Sequence, residues 1–282
     1  MSFAVLLFFT AAVGILLSMG THVVWQTSRR LMLVIGAIAS VSGYAVAIAA
    51  NAGVPVVWAV LSAMLIGALL GVVLCLSAWR VAREDFLLLA LAFSELVRRL
   101  AFHLECLTNG AYGLRVAPIL PGTSDMWFTG VGILAAAVAL CLQLWFRSSR
   151  GLEWRIVGCS RSSAELLGSV PARSELASSV VSGAVAALAG IAYVLCIRYI
   201  HPDDMGIDLS LAALVVGLAA RPRWLTIDLC VMAFILFAGR DFLRLWDIGG
   251  TVRFAIHEVV VGAIIILMAI RLARADPGGS EP

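Results

Sequence analysis

Charged residues inside apolar runs are the feature of this sequence best suited to chemistry. Glu95 lies within the apolar run from Phe86 to His103, and Arg98 and Arg99 follow it at i+3 and i+4. A carboxylate near the centre of a bilayer costs about 2.5–3.5 kcal/mol, so it usually has a partner or a function. The spacing places both arginines on the helix side that carries Glu95. The pattern therefore fits a local ion pair, a place on a transport pathway, or both.

Other residue patterns that could support catalysis are weak. His257 and Glu258 stand early in an apolar run, where a solvated helix start explains them better than a proton relay does. There is no HExxH, GxSxG, Walker A or paired-aspartate motif, so neither hydrolysis within the membrane nor hydrolysis of ATP by this chain is expected. The six cysteines are scattered without CxxC spacing, which argues against a metal site.

The composition places the chain in a membrane. It is 62% hydrophobic and 13% charged, with a mean hydropathy of +1.03. Soluble domains are about 45–50% apolar and about 25% charged. At 282 residues the chain has room for roughly eight to ten spans of about 20 residues. The net charge of +3 is small, and no nucleic-acid partner is expected.

Nine apolar runs predict an all-α, polytopic transmembrane helical bundle. They are Ser2–Met19, Leu31–Ala50, Val54–Leu76, Phe86–His103, Trp127–Phe146, Leu176–Tyr199, Ile207–Ala220, Trp224–Gly239 and Phe254–Ala273. The first has no basic region before it and is interpreted as a retained span. The fourth is charged and the seventh is short, so either fits a half-helix that enters the membrane and returns. Small residues at helical spacing, such as Gly67 and Gly71, predict close helix packing.

The arginines predict the orientation of the chain. If residues 147–173 are cytoplasmic, thirteen of the twenty arginines fall on the cytoplasmic side and seven on the other. Cytoplasmic loops carry the excess of basic residues, so we expect an outside N-terminus and a cytoplasmic C-terminus.

A polar segment at residues 149–170 interrupts the apolar runs and carries helix signals. Ser162 and Glu165 have capping-box spacing, Gly168 suits a left-handed stop, and Pro171 follows it. Ala164, Leu166 and Leu167 provide an apolar face. From these residues alone, an interfacial helix that caps a long turn is as good an interpretation as a rigid functional helix.

Several motifs, in order, resemble the permease subunits of branched-chain amino acid class ABC importers. The matching positions around the central segment are Ser149, Arg150, Gly151, Arg155, Ala164, Gly168, Ala186, Ala189 and Gly190. Upstream, "EDFLLLALAFSELVRRL" with Glu95 and "LTNGAYGL" correspond to two further family elements, and "HPDDMGIDLSLAALVVG" corresponds to one downstream. The resemblance covers most of the chain. It implies a permease domain over residues 1–275, with a cytoplasmic coupling segment at 147–174 and a tail at 276–282.

The resemblance implies a division of labour between subunits. The coupling helix that docks into an ATP-binding subunit would be Ser160, Arg161, Ser162, Ser163, Ala164, Glu165, Leu166, Leu167 and Gly168. The implied partners are a second permease subunit that forms a heterodimer with this chain, two ATP-binding subunits and an extracytoplasmic solute-binding protein. ATP and Mg²⁺ would bind the partner subunits, and no cofactor would bind this chain. The implied location is the bacterial cytoplasmic membrane, in contact with lipid.

The transported solute is expected to be a branched-chain amino acid or a related amino acid, amide or urea-like compound. The residues expected along the translocation path are Tyr44, Phe93, Glu95, Thr108, Asn109 and Gly110. The chain departs from the family pattern at Asn109, where a glycine is usual, and at Glu175, where a lysine is usual. The alternative function is a proton-coupled secondary transporter that uses Glu95 or Glu258, which would need no coupling helix.

Overall fold

The computed structural model describes residues 3–82, 85–116, 124–221 and 225–239, with the single residues 259, 262 and 263. Over these residues the chain is built of helices, which confirms the predicted all-α bundle. In chain order they are α1 (Phe3–Ser28), α2 (Ile35–Asn51), α3 (Val56–Arg80), α4 (Asp85–His103), α5 (Glu105–Thr108), α6 (Ser124–Arg147), α7 (Ser149–Cys159), α8 (Arg161–Leu166), α9 (Pro171–Ile197), α10 (Ile207–Ala219) and α11 (Leu225–Ala233). A π-helix at Phe234–Ala238 continues α11.

Four of the described helices are long and apolar enough to cross a membrane: α1, α3, α6 and α9. Apolar helices of intermediate length are α2, α10 and α11 with its π-helical extension. The first predicted run was too short at its C-terminal end, because α1 continues past Met19 to Ser28. His257, Glu258 and the tail 276–282 lie outside the described residues, as does nearly all of the run Phe254–Ala273.

Small residues allow α9 to contact α2 and α3 through their backbones. A Cβ atom on Gly67 would lie 2.5 Å from the Cβ of Ala187 and 2.7 Å from the carbonyl oxygen of Gly183. A Cβ atom on Gly190 would clash with the carbonyl of Ala39 on α2. Such contacts supply the packing energy that the hydrophobic effect cannot supply in lipid. The predicted close packing at Gly67 and Gly71 is confirmed.

Helix α1 lies in the interior of the bundle. In its most apolar stretch 83% of the residues are buried, against 33% in α3. Its buried polar side chains bond to backbone carbonyls of α10: the hydroxyl of Thr21 donates to Ala213 (3.0 Å), and Nδ1 of His22 hydrogen-bonds to Gly217 (2.8 Å). The hydroxyl of Ser182 on α9 donates to the carbonyl of Gly20 (2.8 Å).

The two ends of the bundle differ. At one, here called the coupling end, α7 and α8 connect α6 to α9, and Gly158 of α7 lies against the carbonyl of Gln26 near the end of α1. At the other, here called the strand end, β1 (Leu114–Arg115) pairs antiparallel with β2 (Tyr199–Ile200). The amide of Asn51, the last residue of α2, donates to the carbonyl of Arg115 there (2.8 Å).

Helices α2 and α10 both begin about halfway along the bundle. Helix α9 has 27 residues and is therefore about 40 Å long, and Ser182 lies about 16 Å from its start. Ser182 and Ile35 both border Gly20, so α2 begins near that height. The N–H of Gly36 donates to the hydroxyl of Ser210 (3.0 Å), which places the start of α10 beside it. The run from Leu31 was thus predicted as a full span, whereas its helix starts at half height.

Candidate functional site

A serine different from the predicted one caps α8. The hydroxyl of Ser160 accepts a hydrogen bond from the N–H of Ser163 (3.3 Å), so Ser160 is the N-cap. The predicted capping box between Ser162 and Glu165 is therefore wrong. Because Arg161 is already the first helical residue, Ser162 lies within the helix, and Glu165 instead lies 3.8 Å from the guanidinium of Arg161.

The C-terminal end of α8 has the left-handed stop that Gly168 predicted. Gly168 has φ of +82°, and its N–H donates to the carbonyl of Glu165 (3.0 Å). The N–H of Ser169 donates to the carbonyl of Ala164 (3.0 Å). These two bonds form a Schellman motif, which satisfies the last carbonyls of a helix. With Pro171 as the first residue of α9, α8 is held at both ends.

The two leucines of α8 face outward. Ala164 is fully buried, whereas Leu166 is 90% exposed and Leu167 is 70% exposed. Exposed apolar residues beside each other on a rigid helix are typical of a protein docking surface. The predicted apolar face is thus divided: Ala164 holds α8 against the bundle, and Leu166 and Leu167 remain available to a partner.

Polar contacts link α8 to α9 and to α3. The guanidinium of Arg161 lies 3.7 Å from Oε1 of Glu175, which is in the second turn of α9 and only 12% exposed. The other oxygen of Glu175, Oε2, accepts a hydrogen bond from Nε1 of Trp79 near the end of α3 (2.7 Å). A narrow cleft beside these residues is lined by Arg30, Phe86 and Ser179 among others.

A second ion pair lies at the loop that follows α10 at the coupling end. The guanidinium of Arg221 donates to both carboxylate oxygens of Asp228 (2.9 and 3.1 Å), and this pairing raises the pKa of Arg221. The backbone N–H of Arg221 also donates to Asp228 (3.0 Å). These bonds tie the end of α10 to the first turn of α11.

Glu95 lies in a cluster of four charged residues, here called the ionic cluster: Glu95, Arg98, Arg99 and Asp203. Arg98 donates to both oxygens of Glu95 (2.8 Å each), and Nε of Arg99 donates to Oε1 (2.8 Å). The remaining nitrogen of Arg98, NH1, donates to Oδ1 of Asp203 (2.9 Å). The local ion pair expected from the i+3 and i+4 spacing is present. Asp203, which precedes α10, was not expected.

The ionic cluster lies at about the height where α2 and α10 begin. The hydroxyl of Ser94 donates to the carbonyl of Leu33 (3.0 Å), just before α2. On the other side, Asp203 lies two residues before Met205, whose carbonyl borders Gly36. Arg98 therefore joins α4 to the non-helical segment before α10, close to the middle of the bundle.

The other residues predicted along a pathway occupy separate places. The hydroxyl of Thr108 donates to the carbonyl of Ala101 (2.6 Å), so the turn after α5 folds back over the end of α4. Asn109 in this turn has φ of +61° and Gly110 has φ of +58°. Both conformations suit a turn that glycine or asparagine can adopt. The structure thus brings Glu95 together with its arginines, but Thr108, Asn109 and Gly110 belong to the strand end.

Tyr44 and Phe93 face the bundle interior to different degrees. The phenol of Tyr44 is buried, and its OH has no hydrogen-bond partner among the residues that the structure describes. Phe93 is half-buried against the core. Across the described ranges, no group of three or more His, Cys, Asp or Glu residues could hold a metal ion.

Sequence reasoning missed Asp203, Glu175 as a contact residue, and Trp79. For Asp203 the only signal was the acidic pair Asp203–Asp204 before an apolar run. Such a pair is equally typical of an ordinary helix start. Glu175 stood out as a departure from a family lysine, but nothing local pointed to Trp79, which is 96 residues away in the chain.

The comparisons with known proteins give one family. The family described as "Branched-chain amino acid transport system / permease component" matches residues 3–269. No curated protein and no solved structure matches the chain.

Proposed function

Because the chain belongs to the family of branched-chain amino acid transport permease components, we propose that it is the membrane-spanning subunit of an ABC importer. It is a multi-pass membrane protein of a transport family and not of an enzyme family. The solute moves inward, and ATP hydrolysis in separate subunits drives it. The solute is a branched-chain amino acid, or a related amino acid, amide or urea-like compound.

The rigid helix α8 is the observation that carries this proposal. It has a serine cap at its start, a Schellman motif at its end, and two exposed leucines between them. A helix that is held at both ends can transmit a displacement, whereas a flexible loop would absorb it. Leu166 and Leu167 dock into an ATP-binding subunit, and Arg161 passes the movement to α9.

The partners and the location follow from this assignment. A second permease subunit, two ATP-binding subunits and an extracytoplasmic solute-binding protein complete the transporter. ATP and Mg²⁺ bind the ATP-binding subunits, and this chain binds no cofactor. The chain lies in the bacterial cytoplasmic membrane, with its N-terminus outside, its C-terminus in the cytoplasm and the coupling end facing the cytoplasm.

The ionic cluster supports a place for Glu95 beside the translocation path. The alternative of proton-coupled transport would need a carboxylate free to exchange its proton. Glu95 is held by three hydrogen bonds from two arginines, and charge-assisted bonds of this kind stabilise the ionised form. The pairing favours a structural or path-lining ion over a proton carrier.

Purification of the chain from its native membrane tests the proposal. We expect an ATP-binding subunit to co-purify with the wild-type chain. Replacement of the outward leucine by a charge, Leu166→Arg, is expected to remove that subunit and to abolish ATP-driven uptake in proteoliposomes. The control is Leu140→Arg on α6, an exposed leucine (53%) that lies outside α7 and α8.

The two variants separate docking from general damage. Leu140→Arg should lower insertion or stability without selectively removing the ATP-binding subunit from the folded fraction. If wild-type protein carries no ATP-binding subunit, or if Leu166→Arg still carries one and transports normally, the proposed function is wrong.

A further inference from the structure

The ionic cluster lies on a face of the bundle that the described chain leaves partly open. The side chains of Glu95 and Arg98 are 30% and 35% exposed, and those of Asp203 and Arg99 are 54% and 69% exposed. Asp208, in the first turn of α10, is exposed as well. The face that contains them, formed by α4, residues 203–206 and the first turn of α10, is here called the ionic face.

The height of the ionic face decides what can cover it. It lies where α2 and α10 begin, about 16 Å along the 40 Å of α9, and so within the length of a helix that is long and apolar enough to cross a membrane. A charged side chain there costs about 2.5–3.5 kcal/mol when it faces lipid. Pairing lowers that cost, but an ion pair with more than half of Arg99 and Asp203 exposed still leaves charge at the surface. Lipid is therefore a poor neighbour for this face.

Another face of the same bundle suits lipid well. Along α3 the exposed residues are leucine and valine at helical spacing, namely Leu61, Leu65, Leu69, Val73 and Leu76, each about half exposed. The opposite side of α3 carries the small residues that pack on α9. The two faces thus differ in the chemistry they present at the same height, which is the difference expected between a lipid contact and a protein contact.

We propose that a second, non-identical permease subunit packs on the ionic face and encloses the ionic cluster between the two subunits. This inference rests on the proposed function, and it adds where the subunits meet. Exposed leucines of α4 flank the charges, Leu96 at 53% and Leu100 at 46%. They provide apolar contact area around a polar centre that water and solute can reach.

The charge of the ionic face argues for a partner of different sequence. Its acidic residues outnumber its basic ones: Glu95, Asp203, Asp204 and Asp208 against Arg98 and Arg99. A two-fold axis through this face would bring two acidic surfaces of identical chains together. Like charges at an interface are costly, so a partner that presents cations or hydrogen-bond donors is favoured. The surface thus selects a similar subunit with a complementary charge.

Site-specific photo-crosslinking in native membranes tests this inference. The photoreactive residue p-benzoylphenylalanine replaces Leu96 or, in a second variant, Leu100, while the rest of the transporter is expressed unchanged. Leu65 on α3 is the matched control, because it is equally apolar and comparably exposed (61%). After illumination, the mass of each adduct and its peptide composition identify the neighbour.

We expect the Leu96 and Leu100 variants to shift to the summed mass of this chain and a different permease subunit, and the Leu65 variant to give no protein adduct. Adducts of two copies of this chain would overturn the choice of a non-identical partner. Adducts at Leu65 with none at Leu96 or Leu100 would overturn the location. Neither result depends on ATP-binding subunits, whose absence after purification would instead refute the proposed function.

Discussion

The indole Nε1 of Trp79 and the carboxylate of Glu175 form a 2.7 Å hydrogen bond between the end of α3 and the second turn of α9. Because Arg161 of α8 approaches the same carboxylate at 3.7 Å, one side chain connects three helices at the coupling end. Any displacement of α8 therefore acts on α3 and α9 together, and these helices are also in backbone contact along their length.

Glu175→Gln is expected to weaken the coupling between ATP hydrolysis and uptake. The amide keeps an oxygen that accepts from Trp79 but loses the ionic attraction to Arg161, which is 57% exposed. A pair with such an exposed partner is worth about 0.2–1 kcal/mol, so the ratio of solute transported to ATP hydrolysed should fall by a factor of about 1.4 to 5. Paired assays of both rates in proteoliposomes measure this ratio.

Arg161→Gln removes the same ionic attraction from the other side, and the double variant Arg161→Gln with Glu175→Gln provides the control. If the two residues act through their pairing, the double variant should lose less than the sum of the two single losses. Glu153→Gln keeps an oxygen that accepts from the hydroxyl of Ser174 and should leave the ratio unchanged. Losses that add in full would show that Glu175 and Arg161 act independently.

Ser160→Ala is expected to loosen α8, whereas Ser162→Ala is not. The hydroxyl of Ser160 is the acceptor for the N–H of Ser163, and loss of an N-cap side chain costs about 1 kcal/mol. Hydrogen–deuterium exchange over residues 161–166 should therefore be faster in the Ser160 variant. Equal exchange in the two variants would contradict the assignment of the cap.

Gly168→Ala tests the other end of α8. At φ of +82° the glycine meets no neighbouring atom within 4 Å, so the added methyl group causes strain without a steric clash. A non-glycine residue in this conformation costs about 1–2 kcal/mol. We expect faster exchange in α8 and lower uptake, with an unchanged melting temperature for the bundle. Gly132→Ala, in a helical position with equally open space, serves as the control. It should change neither the exchange in α8 nor the uptake.

Gly71→Ala is expected to destabilise the contact between α3 and α9. A Cβ atom at this position would clash with the backbone carbonyl of Ser179, which cannot move as a side chain can. Overpacking of this kind costs about 1–3 kcal/mol. The melting temperature of the detergent-solubilised protein should fall, while the same substitution at Gly132 should not lower it. An unchanged melting temperature for Gly71→Ala would show that the helices can separate without cost.

Arg98→Gln should be more damaging than Asp203→Asn. Arg98 donates to Glu95 and to Asp203. Without it, Glu95 keeps its bond from Arg99, and Asp203 keeps the imidazole of His201 at 3.8 Å. The double variant should cost less than the sum of the single changes, with an interaction energy of about 0.5–3 kcal/mol. Denaturation of all three variants in detergent measures this energy, and strict additivity would mean that the two residues do not interact.

Local signals in the sequence predicted the features that depend only on residues close together in the chain. The i+3 and i+4 spacing predicted the pairing of Glu95 with its arginines, and Gly168 with Pro171 predicted the end of α8. The start of α8 was misjudged by two residues because two serines offer similar caps, and the choice depends on where the preceding helix α7 ends.

Long-range relationships could not be predicted from one sequence. Arg98 and Asp203 are 105 residues apart, and no local pattern connects them. The run from Leu31 is apolar enough for a full span, so hydropathy could not reveal that its helix starts at half height. That height is determined by the contacts of Gly36 with α10 and of Gly20 with α9, which only the folded chain contains.

The interior position of α1 has a consequence for biogenesis. This helix leaves the ribosome well before α9 and α10, because the carbonyl that pairs with His22 belongs to Gly217, 195 residues later, and the hydroxyl that contacts Gly20 is 162 residues later. Until those segments are synthesised, the side chains of Thr21 and His22 lack the α10 carbonyls to which they bond in the folded protein. Assembly of the protein therefore depends on a late step in which α9 and α10 enclose a helix that was inserted long before them.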